Sequence, residues 1–256
     1  MPSRFKPQRL FAALIFLERY GFSFYFLYCA LNRWNELLPT MGWEHEMIRH
    51  FSLLEIFRQI VWIQFDAFTG VMLLVGRKVT TPPQSLTDVL IPVVASFFYV
   101  MYELLPRVSD LWRANLWPLL WQPAFMELGL ALNLIGLTIA LWAALSLGRS
   151  FGVFAEVKQV VLHGAYRWVR HPIYFGYVFL LSGWAIGHGS LTFLLLPPLH
   201  MGILIYRAKL EERQLAASSR AYRDYQMKTG FIIPNFFNPK HLWERMRGLA
   251  ELVAGR

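Results

Sequence analysis

Two short runs hold the residue types that could do chemistry. The first is Tyr166-Arg167-Trp168-Val169-Arg170-His171-Pro172-Ile173-Tyr174-Phe175-Gly176. Pro172 suits the first position of a helix, where its missing N–H would have had no partner. His171 then falls at or next to the N-cap. Free backbone N–H groups and the positive end of the helix dipole favour a carboxylate or phosphate at such a point. Arg170 adds a fixed charge and a two-pronged donor. The plainer alternative is that arginine and histidine before an apolar helix only anchor it at the inner membrane surface.

The second run is Arg207-Ala208-Lys209-Leu210-Glu211-Glu212-Arg213, followed by Tyr222-Arg223-Asp224-Tyr225. Adjacent glutamates on a helix point about 100° apart. One can face a cleft while the other meets water or an arginine. Carboxylates accept hydrogen bonds from ribose hydroxyls and attract an ammonium or sulfonium cation. Tyr222 and Tyr225, three apart on one helical face, can set a ring against an adenine or a sulfonium. Taken singly, Glu-Glu and Tyr-x-x-Tyr describe an ordinary solvated helix.

The elements that position these runs read as membrane helices. Of 256 residues, 56% are hydrophobic and only 16% charged, with a mean hydropathy of +0.38. A soluble domain carries about a quarter charged residues. The apolar excess lies in blocks, expected as six spans near 10–31, 51–75, 86–105, 125–147, 172–187 and 190–207. The expected fold is therefore all-α and polytopic. Its parts are an N-terminal set of three spans (1–124), a core with three more (125–239) and a C-terminal helix (240–256) lying on the membrane surface or packed on the protein. Only His188 and Gly189 separate the last two spans, so a tight hairpin is expected, and Pro197-Pro198 should kink the last one. Phe231 to Phe237 is too short to span and too apolar for a solvated loop, and is expected to dip back to the interface.

A net charge of +9 raises the question of nucleic acid, but the basic residues lie between apolar blocks rather than on one soluble face, so no nucleic-acid partner is expected. They set orientation instead. With the N-terminus inside, 19 Lys and Arg fall on inner segments and 4 on outer ones, which places both termini in the cytoplasm of an inner membrane or its equivalent. The single cysteine, Cys29, excludes an intramolecular disulfide and a cysteine-rich metal site, and no metal is expected. No cleavable signal peptide is evident in the long, aromatic first stretch.

Glu55, Arg58, Gln59, Asp66 and Thr69 share one face of the second span. Such a stripe must face the bundle interior, either to hold the helices together or to line a substrate pocket. Counting residues from the inner ends of the first two spans pairs Arg19 with Asp66. Spacing pairs Glu55 with Arg58.

The combination is more specific than its parts. Gly-x-Tyr-x-x-x-Arg-His-Pro-x-Tyr-x-Gly, an apolar hairpin, Arg-x-Lys-x-Glu-Glu-x-x-Leu, Tyr-x-x-Tyr and Ile-Pro together resemble the isoprenylcysteine carboxyl methyltransferases and the related membrane phospholipid methyltransferases. The likeness runs from Leu147 to Asn235. It implies that Tyr166, Arg170, His171, Pro172, Tyr174 and Gly176 form a loop around S-adenosylmethionine and that Glu211 and Glu212 close it; Tyr222 and Tyr225 join the expected cofactor site by their spacing, against an adenine or the sulfonium. Phe151 and Gly152 look like the family's segment leading into the loop. The chain departs from relatives at Ser218-Ser219-Arg220-Ala221, where Phe-Gly often stands. The acceptor implied is lipophilic or membrane-associated, bearing a carboxylate, thiol or amine, with membrane lipid as the surroundings. Arg170 and Glu211 are the candidates for catalytic roles. Two other readings compete. A sterol-reductase-type enzyme using NADPH has a similar His-Pro-x-Tyr turn, but Ile173 stands where those carry Asn. A non-catalytic membrane subunit or transporter would account for the polar stripe.

Overall fold

The computed structural model describes residues 13–41, 53–77, 85–117, 122–153 and 160–235. The expected surface helix at 240–256 and the end of the Phe231–Phe237 segment lie outside them. Among the described residues the fold is all-α, with only isolated bridges, Asn115 to Ser190 and Val169 to Gly230, pairing extended backbone. A π-helical turn, Leu17–Phe22, leads into α1 (Ser23–Met41). There follow α2 (Leu53–Leu74), α3 (Thr87–Phe97), α4 (Val100–Val108), α5 (Gln122–Leu147), α6 (Pro172–His188), α7 (Leu191–Ser218) and α8 (Arg220–Lys228).

Three stretches are long and apolar enough to cross a membrane: Ala13–Leu37, Gln122–Ser150 and Leu191–Ser218. They match the first, fourth and sixth expected spans. The third, read as one run over 86–105, is two helices bent by 42°. Tight i to i+3 bonds turn the chain there, Met101 N–H to the Phe98 carbonyl and Tyr102 N–H to the Tyr99 carbonyl, each 3.0 Å. The other two expected spans are helical but less plainly spanning. α2 carries Glu55, Arg58 and Asp66, and α6 has 17 residues. Pro197 and Pro198 lie inside α7, which runs through them as one helix.

The hairpin between α6 and α7 turns on Gly189, whose φ of +59° suits a residue without Cβ. Trp117 packs over it and donates its indole N–H to the Ile186 carbonyl at 2.6 Å. α5 and α6 pack through facing glycines. A Cβ on Gly136 would meet the Gly176 carbonyl at 2.4 Å, and one on Gly176 would meet the Gly136 carbonyl at 2.5 Å. Small residues that let backbones touch are the usual means of joining helices in lipid, where apolar side chains gain nothing by leaving their surroundings. Buried Asn133 adds a bond across this seam, from its amide to the Leu180 carbonyl at 3.0 Å.

The expected Arg19–Asp66 pair is not formed. Gly70 packs against Ser23 and Leu27. In that antiparallel register Arg19 reaches the C-terminal end of α2, not Asp66. It donates to the carbonyls of Leu74 (3.1 Å) and Gly76 (2.7 Å), groups that a helix end leaves unpaired. Asp66 is instead bound by Arg33 at 3.1 Å, and that guanidinium lies over Trp62. Counting from assumed span ends misjudged the offset between the helices. The Glu55–Arg58 pair forms as spacing indicated, with Gln59 also donating to Glu55. Because Asp66 is buried, Arg33→Ala should cost roughly 1–2 kcal/mol, less than for a fully buried pair because Arg33 reaches the surface. Exchanging the two residues, Arg33→Asp with Asp66→Arg, should restore most of the thermal midpoint, whereas exchanging Arg19 and Asp66 should not.

Candidate functional site

His171 caps α6 with a non-helical φ of −125°, and Pro172 opens the helix. The approach is fixed from both sides. The short turn Gly164–Arg167 is tied to α5 through the Ala165 N–H, which donates to the Ser146 hydroxyl at 3.1 Å. The strap after α8 runs beside residues 169–171. Arg170 N–H donates to the Gly230 carbonyl at 2.9 Å, and His171 N–H donates to that of Phe231 at 3.0 Å. The hairpin thus brings the Arg-His-Pro run and the Glu-Glu helix to one end of the bundle.

The two glutamates diverge as their positions on a helix require. Glu212 turns to the loop. It accepts from Arg170 Nε at 2.6 Å, contacts His171 Nε2 at 3.2 Å and accepts from the Gln226 amide at 3.2 Å. Arg170 Nη1 donates to the carbonyls of Gln226 (2.7 Å) and Thr229 (2.6 Å) at the end of α8, and Nη2 reaches the second oxygen of Glu212 at 3.5 Å. This arginine is largely occupied in joining α6, α7 and α8. Tyr225 adds a second tie, its hydroxyl donating to the carbonyls of Tyr166 and Val169. Ser219 caps α8 by accepting from the Tyr222 N–H.

Glu211 faces inward. Its Oε1 accepts from Tyr174 at 3.2 Å and from Arg207 Nε at 2.8 Å. Arg207 is the cation of the inner wall, also donating to the Ser96 hydroxyl and the Gly152 carbonyl. His171 and Tyr174 stack at 5.4 Å, with Tyr177 next along α6 at 6.4 Å from Tyr174. Burial pushes the phenols of Tyr166, Tyr222 and Tyr225 above their ordinary value, so at neutral pH all three stay uncharged.

These groups open onto a cavity of about 1080 Å³ that continues from Tyr166, Tyr222 and Arg207 into the apolar interior. Of the ten residues expected at the cofactor site, Tyr166, Arg170, His171, Tyr174, Glu211, Tyr222 and Tyr225 line it. Three do not: Pro172 starts the helix, Gly176 packs on α5, and Glu212 holds Arg170 and His171 from behind. Phe151 and Gly152 do line it. Arg207 stood at the head of the second run without a role assigned to it, and Tyr177 was passed over, although Arg207–Glu211 (i,i+4) and Tyr174–Tyr177 (i,i+3) were legible as pairs on one face. Ser96 comes from a helix far away in sequence and gave no signal.

The site is thus a polar rim, built by a helix start and an acidic helix, over a cavity inside apolar helices. Residues 124–222 match the phospholipid methyltransferase family, in agreement with the resemblance of the motifs. A curated relative, methanethiol S-methyltransferase of Mycobacterium tuberculosis, is 37% identical over 73 residues. That match covers 28% of this chain and 29% of the relative, so the chain spans less than a third of it.

Proposed function

We propose that the protein transfers a methyl group from S-adenosylmethionine to a lipophilic or membrane-associated acceptor at the cytoplasmic face. The observation that carries this reading is the latch of Glu212 to Arg170 and His171, which sets the inward carboxylate of Glu211 and the rings of Tyr166, Tyr174 and Tyr222 around one polar mouth. The donor set suits the cofactor. Glu211 Oε2 accepts no bond from the described residues, and a carboxylate there attracts a sulfonium or takes a ribose hydroxyl. The neutral phenols offer rings to an adenine or to the cationic sulfur.

When bound, the cofactor supplies an electrophilic methyl group. The chain's part is to place the acceptor in line with it and to keep water out, and alignment alone can supply much of a rate enhancement. A carboxylate acceptor needs no base. For a thiol or amine, Glu211 is placed to take the proton. The acceptor class stays broad: the matched relative acts on a small thiol by its printed name, and the matched family takes its name from phospholipids. The topology belongs to the same proposal, with six spans, both termini inside, and the mouth on the basic side.

Titration of the purified protein with S-adenosylmethionine and with NADPH tests the reading. Saturable binding of the first is expected, and binding of NADPH alone would refute it. Glu211→Gln should weaken methyl-donor binding about 10- to 100-fold, the loss of one charge-assisted hydrogen bond, as measured by the same titration.

A further inference from the structure

Deeper in the same cavity, polar atoms stand without partners. Thr69 Oγ1, the Tyr102 hydroxyl and His200 Nδ1 are buried and make no hydrogen bond among the described residues. All three residues line the cavity and are 1%, 5% and 6% exposed. A buried polar atom left unmet is unfavourable, and a ligand that meets it recovers that loss. The atoms are set in an aromatic wall. Tyr102 lies 5.0 Å from Trp184, 5.3 Å from Phe193 and 6.2 Å from His200, and Tyr177 lies 6.4 Å from His200. His200 Nε2 meets the Ala95 carbonyl at 2.9 Å. It therefore carries the proton in the neutral ring, which leaves Nδ1 as an acceptor. Tyr102 can donate as well as accept. Two of the carboxylates on the lining are paired, Asp66 by Arg33 and Glu55 by Arg58, and Glu127 is exposed to the outside.

We propose that this chamber, walled by α2, α4, α6 and α7, binds an uncharged lipophilic ligand carrying a hydroxyl group, with Tyr102 donating to that group and His200 Nδ1 accepting from it. Resting on the methyltransferase reading, the ligand is the methyl acceptor. His200 is seven residues from Arg207 on α7, about 10 Å along the axis. The recognised hydroxyl is thus a different group from the one that meets the methyl donor at the mouth. Tyr102 lies outside the matched segment 124–222, so acceptor choice draws on a helix beyond that segment.

The probe is 1-decanol, compared with decane and with decanoate, titrated into the full-length protein in detergent micelles and read by tryptophan fluorescence. Protein-free micelles and the unfolded protein serve as blanks. Saturable binding of decanol, roughly tenfold tighter than decane, is expected for one recovered hydrogen bond. Tyr102→Phe should bring decanol down to the affinity of decane while raising the thermal midpoint of the empty protein, since it deletes an unmet hydroxyl. His200→Gln, whose amide can still donate to Ala95, should also lower decanol affinity. Equal affinity for decanol and decane, preference for decanoate, or unchanged decanol binding in both variants would overturn the proposal. Titration with S-adenosylmethionine in parallel separates the two readings: decanol selectivity without methyl-donor binding refutes the proposed reaction and leaves the chamber, and the reverse refutes the chamber alone.

Discussion

Glu212→Gln should lower affinity for the methyl donor about 100-fold while the protein still folds and extracts as a monodisperse species. The glutamine keeps the shape of the side chain but removes the charge shared by Arg170 and His171, with both Arg170 and Glu212 only 14% exposed. Taking one member from a buried, hydrogen-bonded ion pair costs on the order of 3–5 kcal/mol. Arg170 keeps its bonds to the Gln226 and Thr229 carbonyls, so the lower end of that range applies, and about 3 kcal/mol is about 100-fold in affinity. Glu212 does not itself line the cavity, so the loss acts through the position of the loop. A double-mutant cycle distinguishes this from direct contact. Arg170→Ala with Glu212→Ala should bind the donor no more weakly than the worse single variant, because the two act as one latch. Additive losses, or donor binding in Glu212→Gln equal to that of the natural chain, would mean the latch does not shape the mouth.

What was legible in the sequence was local. His171 and Pro172 state a helix start by residue type, Gly189 states a turn, and Glu55–Arg58 and the divergent Glu211 and Glu212 follow from helical spacing. None of these needs knowledge of how two helices face each other. What was not legible depended on that relation. Asp66 has one partner among several arginines at plausible depth, and an offset of a few residues between α1 and α2 decides for Arg33 over Arg19. The bend at Phe98–Tyr99 has no proline or glycine to announce it. Tyr102 and His200 read as apolar-span residues until α4 and α7 are set side by side. Arg170 shows a further limit of composition: its fork was expected to face a ligand, and most of its donors go to the protein's own carbonyls and carboxylate. A guanidinium beside a pocket satisfies the nearest acceptors, and only coordinates reveal whether those belong to the chain.

The seam between α5 and α6 should be the least tolerant part of the fold. At Gly176 a Cβ would fall 2.5 Å from the Gly136 carbonyl and 2.9 Å from Ala140 N, and at Gly136 it would fall 2.5 Å from Leu180 N. These neighbours are backbone, which cannot rotate away, so the helices must separate. Overpacking of this kind costs 1–3 kcal/mol and sometimes more, and separation would also strain the Asn133–Leu180 bond. Gly176→Ala and Gly136→Ala are therefore each expected to lower stability by about 3 kcal/mol, seen as a large drop in thermal midpoint and as aggregation during extraction. Gly202 on α7 supplies the contrast, because a Cβ there meets nothing within 4 Å. Gly202→Ala should leave the midpoint unchanged or slightly raised, in line with the better helix propensity of alanine. Because α6 carries His171 and Tyr174 at its start, a partly folded Gly176→Ala protein should lose methyl-donor binding in proportion to its loss of folded fraction. A fully folded Gly176→Ala protein that failed to bind the donor would show instead that the glycine itself meets the cofactor.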